Sequence, residues 1–162
     1  MNNQRGFSVV DVVATLGLAG VLAAITVPML DQAVARNRVW TAADMVATQV
    51  RLARLTAISR NETFRLRFGC PDAASLRILV VTGDAGIDDA ADRCSTEQPN
   101  DRPAVYLPTG VAPSATPTLE VSGRGVFTLV GGALPTSITV GNGTTSRTIT
   151  FTSTGLVTVS GE

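Results

Sequence analysis

The chain has 162 residues, 44% of them hydrophobic, and thirteen basic side chains balance thirteen acidic ones. Every basic residue is arginine and histidine is absent, which removes Ser-His-Asp and Cys-His nucleophiles and His-ligated metals from consideration. The two cysteines, Cys70 and Cys94, are too far apart for a Cys-x-x-Cys motif and too few for zinc without histidine, so no catalytic residue, metal or cofactor is implied.

Arg5-Gly6-Phe7-Ser8-Val9-Val10-Asp11 opens the chain, and Val12 to Leu30 then carry no charge. As a helix that run is roughly 29 Å long, close to the bilayer core of about 30 Å. An ionised Asp11 at its entrance costs about 2.5–3.5 kcal/mol on insertion scales, so the residue needs a partner or a task. A secretory signal has a shorter apolar core with a small-residue cleavage site after it. A plain membrane anchor explains neither Asp11 nor the Gly6-Phe7 pair at the boundary. Pro28 lies near the end of the run, where a helix interior normally excludes proline.

Arg5, Gly6, Phe7, Ser8, Val9-Val10 and Asp11 resemble the N-terminus of type IV pilins and type II secretion pseudopilins. The resemblance implies prepilin peptidase cleavage between Gly6 and Phe7, N-methylation of Phe7, and release of residues 1–6 as a leader. It implies that Asp11, standing where the family usually has Glu, faces the new α-amine of a neighbouring subunit in the filament. Pro28 matches the family's helix-kinking proline. The implied partners are other pilins or pseudopilins, the prepilin peptidase and an inner-membrane assembly platform. The implied location is the inner membrane, single-pass, with the head in the periplasm.

After the membrane-length run the helical pattern continues. Val39, Ala43, Val46, Val50, Ala53 and Ala57 step by four and three residues, a stripe suited to packing on a sheet. Arg36, Arg51 and Arg54 fall to one side of it, at the rim or in solvent, and Asn61 is the expected stop. Residues 7–30 are thus an assembly helix, 31–61 an amphipathic helix on the head, and 62–162 a β-rich head.

Leu52-Ala53-Arg54, Ala57-Ile58, Arg60-Asn61-Glu62 and Phe64-Arg65-Leu66 resemble the helix end and first strand of the H-type minor pseudopilins and FimT/FimU-like minor pilins. Ile149-Thr150-Phe151 and Gly155 to Val159 resemble their closing hairpin. Independently, Phe64, Leu66 and Phe68 alternate with Arg65 and Arg67 as in a half-buried strand. Segments 76–81, 104–107, 118–121, 126–130 and 137–140 read as further short strands between Gly, Pro, Ser and Asp clusters. The expected fold is α+β: a long N-terminal helix packed on two small antiparallel sheets. The glycine-rich stretches at 123–125, 131–132 and 141–143 lack the context of phosphate loops and read as turns. Asn61-Glu62-Thr63 and Asn142-Gly143-Thr144 fit the glycosylation pattern but read as a helix end and a turn.

With the head in an oxidising compartment, Cys70 and Cys94 read as a disulfide fastening the acid-rich segment 84–92 to the sheet, against the alternative of two separate buried thiols. Charge is segregated: seven arginines lie between Arg36 and Arg67, and seven acids between Asp72 and Asp101. The function expected is a structural subunit, a minor pilin or minor pseudopilin, and not an enzyme. The alternative is a DNA-binding minor pilin acting in uptake, with Arg36, Arg51, Arg54, Arg65 and Arg67 as phosphate contacts. Balanced charge and the absence of basic residues from 156 to 162 disfavour nucleic acid.

Overall fold

The computed structural model describes residues 8–161, with Pro28 described by its backbone alone. Gly6 and Phe7 lie outside the described residues. Helix α1 runs Val9–Arg60. Its start is capped by Ser8, whose hydroxyl oxygen accepts from the Val10 N–H at 3.3 Å while its carbonyl accepts from Asp11 and Val12. At the other end Asn61 adopts φ 52°. Its N–H donates to the Ile58 carbonyl and that of Glu62 to the Ala57 carbonyl. This pair of bonds closes a helix through a left-handed residue, for which asparagine is the usual substitute for glycine.

The chain divides into two compact units, the first ending at Arg36 and the second beginning at Asn37. In the first, α1 is long and apolar enough to cross a membrane. The hydroxyls of Thr15 and Thr26 donate to the Val12 and Leu22 carbonyls at 2.9 and 2.8 Å, so each is satisfied within the helix, as a membrane-crossing segment would require. The backbone stays helical through position 28.

In the second unit, α1 buries Val39, Ala43, Val46, Val50, Ala53 and Ala57, with Ala42 and Ala47 beside them. Arg36, assigned to the first unit, and Arg51 are exposed, and Arg54 is half-buried at the rim. The strands are β1 Phe64–Phe68, β2 Ser75–Val80, β3 Val105–Tyr106, β4 Ala112–Pro113, β5 Thr118–Val121, β6 Phe127–Leu129, β7 Thr136–Gly141, β8 Ser146–Phe151 and β9 Val157–Ser160. They form two antiparallel sheets, a five-stranded one ordered β3-β2-β1-β5-β6 and a four-stranded one ordered β4-β7-β8-β9. Phe64, Leu66 and Phe68 of β1 enter the same hydrophobic core as Ile138 and Val140 of β7 and Ile149 and Phe151 of β8. The rings of Phe68 and Phe151 join the two sheets at 6.1 Å between centroids.

The outer faces differ. That of the second sheet presents Ser137, Thr139, Thr148, Thr150, Thr158 and Ser160, all uncharged, with the threonines β-favouring. That of the first is covered by the connection from β2 to β3, which includes the one-turn helix α2, Ala85–Asp88. Strand β2 is therefore buried on both faces over most of its length. Cys70 and Cys94 form a disulfide that ties this connection to the chain just after β1. Each glycine-rich stretch is a turn or strand end, with Gly125, Gly131 and Gly143 at positive φ.

Disulfide removal tests how this cover is held. Cys94→Ser opens a loop with ends 24 residues apart, and should lower the stability of the head by about 3 kcal/mol in the chain-entropy picture. Thermal unfolding and limited proteolysis should show a lower midpoint and new cuts between residues 81 and 104. Unchanged behaviour would mean that packing alone holds the connection.

Candidate functional site

Two regions carry the residues singled out by the sequence: the first turns of α1 and the arginine-rich surface of the head. Asp11 is exposed on the first turn of α1. A carboxylate there interacts favourably with the helix N-terminal dipole, and the described residues give it no opposing cation. Its surroundings are otherwise aliphatic: Val9, Val10, Val12 and Val13 are exposed beside it.

The five arginines weighed as phosphate contacts are in different situations. Arg65 is engaged: Nη1 donates to Asp89 at 2.6 Å and to the Asp88 carbonyl at 2.9 Å, and Nε donates to Glu120 at 2.8 Å. Burial pulls its pKa down, but the bonds to Asp89 and Glu120 more than reverse this and raise it. Arg67 stands opposite Arg77 across β1 and β2, and its Nη1 is buried without a hydrogen-bond partner among the described residues. Arg54 donates Nε to the Gly125 carbonyl at 3.2 Å. Arg36 and Arg51 are exposed.

The segregated charges of the sequence meet on the covered face of the first sheet. Arg77 reaches the Arg102 and Cys94 carbonyls at 2.9 Å each and Glu97 at 2.8 Å. Arg93 grips Asp101 with both terminal nitrogens, at 2.6 and 2.8 Å, and both side chains are 2% exposed. Asp101 also accepts from the Val80 and Gln98 N–H groups at 2.8 Å. Asp88 accepts from the Thr82 N–H and hydroxyl and from the Gly83 N–H, each at 3.0 Å. Burial pushes both carboxyls up, yet these hydrogen bonds, with Arg93 for Asp101, hold both below the ordinary carboxylate range. Neither Arg93 nor Asp101 was legible as a buried pair. The one available signal was Arg77 in the apolar run Leu76-Arg77-Ile78-Leu79-Val80.

Nothing in this arrangement is poised for catalysis. The carboxylates are consumed in holding a loop, and among the described residues no group of acids or cysteines is arranged to bind a metal.

A family model described as Type II transport protein GspH matches residues 42–155. The chain belongs to this family. It is therefore a pilin or pseudopilin of the H type, a structural subunit and not an enzyme, and its family assembles with other pilins in a pilus-like filament. Its fold is that of the type IV minor pilin FimU of Pseudomonas aeruginosa, at 20% identity over 77% of this chain and 90% of that one, with a TM-score of 0.52. The minor pseudopilin EpsH from the Type 2 Secretion System of Vibrio cholerae is similar at 17% identity, over 76% and 97% of the two chains, with a TM-score of 0.52. A search of curated proteins gives no match.

The covered face predicts an acid-sensitive head. Unfolded Asp titrates near pH 3.9, and the folded carboxyls of Asp88 and Asp101 titrate lower. Their contribution is full above the unfolded value and drains as pH falls through the folded one. Asp101→Ala leaves a buried guanidinium unpaired and should cost about 3–5 kcal/mol at neutral pH. Denaturant titrations at pH 7 and pH 3 should show the gap between variant and wild type narrowing in acid. A constant gap would detach the pair from the pH response.

Proposed function

We propose that this GspH-family chain is a minor pilin or minor pseudopilin that enters its filament through α1 after prepilin peptidase cleavage between Gly6 and Phe7. The observation that carries the reading is the apolar, membrane-length part of α1 with Asp11 at its entrance, joined to a head of the GspH family. The helix is stored in the inner membrane with the head in the periplasm. Cleavage creates an α-amine at Phe7. Asp11 of one subunit then pairs with that amine on its neighbour, so two charges disfavoured in lipid neutralise each other as the subunit leaves the membrane. Pro28 loosens the helix for packing in the filament, since it withholds one backbone N–H.

Membership of the filament calls for the inner-membrane platform and other pilins as partners. The DNA-capture alternative keeps Arg36 and Arg51 as exposed cations and the terminal nitrogens of Arg54, but Arg65 is committed to Asp89 and Glu120 and Arg67 is half-buried. Structural assembly is therefore the better-supported reading.

Processing is checked by intact-mass measurement of protein from native membranes, which should show loss of residues 1–6 and one added methyl group on Phe7. A full-length, unmethylated chain in cells with active peptidase would refute the pilin reading.

Asp11→Val separates insertion from assembly. Removing the carboxylate should preserve or improve membrane insertion and should sharply reduce recovery of the subunit in sheared filaments. Wild-type incorporation would show that Asp11 does not serve as the charge partner.

A further inference from the structure

At the C-terminal end of α1 two tight turns lean onto the helix. Gly125 and Gly155 both take positive φ, 76° and 77°. A Cβ on Gly125 would come within 2.8 Å of Ile58 Cδ1 and 3.0 Å of Arg54 Nε, and one on Gly155 within 3.0 Å of Arg54 Cδ. The side chain of Arg54 is thus held between the two turns. Ile58, 47% exposed, meets the same Gly125 position, and the chain neighbours Leu55, Val126 and Leu156 of Arg54, Gly125 and Gly155 are 65%, 48% and 59% exposed. Only Nε of Arg54 is bonded, to the Gly125 carbonyl, and its two terminal nitrogens meet no partner among the described residues.

A guanidinium with its fork of donors open, on a surface where Leu55, Ile58, Val126 and Leu156 are exposed, is matched by a carboxylate flanked by apolar residues. Guanidinium binds carboxylate through two parallel bonds, and an apolar rim strengthens such a pair by excluding water. Arg51, exposed one turn earlier on the same helix, adds positive charge. Arg51, Arg54 and Arg124 take part in none of the head's ion pairs among the described residues.

We infer that this patch is a docking surface for a carboxylate-bearing, otherwise apolar segment on the head of a neighbouring pilin or pseudopilin, with Arg54 as its anchor. The open guanidinium calls for a carboxylate, the family's assembly with other pilins supplies the occupant, and the inference rests on the filament reading above. Leu55 and Ile58 are exposed on the same helix that enters the filament, so the surface continues an assembly element into the head.

The test uses the full chain in cells that assemble the filament, with a photo-crosslinking residue at Leu55 and, in a separate control, at Val21 in the apolar part of α1. The expected adduct at Leu55 joins a second pilin-family chain, and its crosslinked peptide contains Asp, Glu or a terminal carboxylate. Arg54→Glu should lower that yield by about tenfold or more through lost pairing and repulsion. Arg54→Lys should retain part of it. Because Arg54 supports two turns, the exposed Val126→Glu serves as a second variant with the same expected loss. Formation of the Cys70–Cys94 disulfide and protease resistance report folding. A Val21 adduct to pilins without a Leu55 adduct would overturn the docking surface alone. So would a Leu55 adduct to DNA, or one to a pilin that neither variant weakens. Failure of both crosslinks would remove the filament reading and this inference with it.

Discussion

The head depends on one stripe of small side chains. Over Ala42, Ala43, Ala47, Ala53 and Ala57, helix α1 presents little more than backbone to the sheets. Large residues must therefore come from the other side: Phe64, Leu66, Phe127, Ile138, Ile149 and Phe151 fill the space. Full burial of each is worth about 1.5–3 kcal/mol, and a helix standing further away would leave voids against them. Both sheets use this same helix face, so the helix joins them into one core, and bulk added to an alanine on it would disturb both at once.

Above the first sheet the logic is electrostatic. The long connection between β2 and β3 has little apolar material to bury. It is fixed instead by a covalent link at Cys94 and by arginines reaching up from the strands, Arg65 from β1 and Arg77 from β2. Arg93 and Asp101 lie within the connection and bracket the end of β2, one accepting from the Val80 N–H and the other donating to its carbonyl. Buried pairs of this kind contribute less to net stability than to geometry, since desolvation offsets much of their attraction.

Much of this was readable in the chain. The four- and three-residue spacing of the helix stripe, the stop at Asn61 and the alternation in β1 depend on local periodicity and capping, which the structure bears out at Val39, Ala57 and Asn61. Segment 118–121 matches β5, and 76–81 differs from β2 by one residue at each end. Strand β4 was missed because two residues with a proline carry no period, and α2 because a single turn capped by Asp84 reads as loop. Charge was harder. Segregation of arginine from acid was plain, but which carboxylate meets which guanidinium depends on how the connection folds back. The pairs Arg65–Asp89 and Arg77–Glu97 are long-range in sequence, and no local rule selects them.

The cations on the covered face are all guanidiniums, and this gives the head an asymmetric chemistry. Guanidinium keeps its proton throughout the range in which proteins fold, unlike an ammonium, which can shed its charge when buried. Alkaline conditions therefore leave Arg65 and Arg93, whose pKa values their carboxylate partners raise, charged and attached to Asp89 and Asp101. Lysine at the same depth would offer a neutral escape, and the loop would gain a second way to detach. With arginine alone, the cover on the first sheet responds to pH from the carboxylate side only.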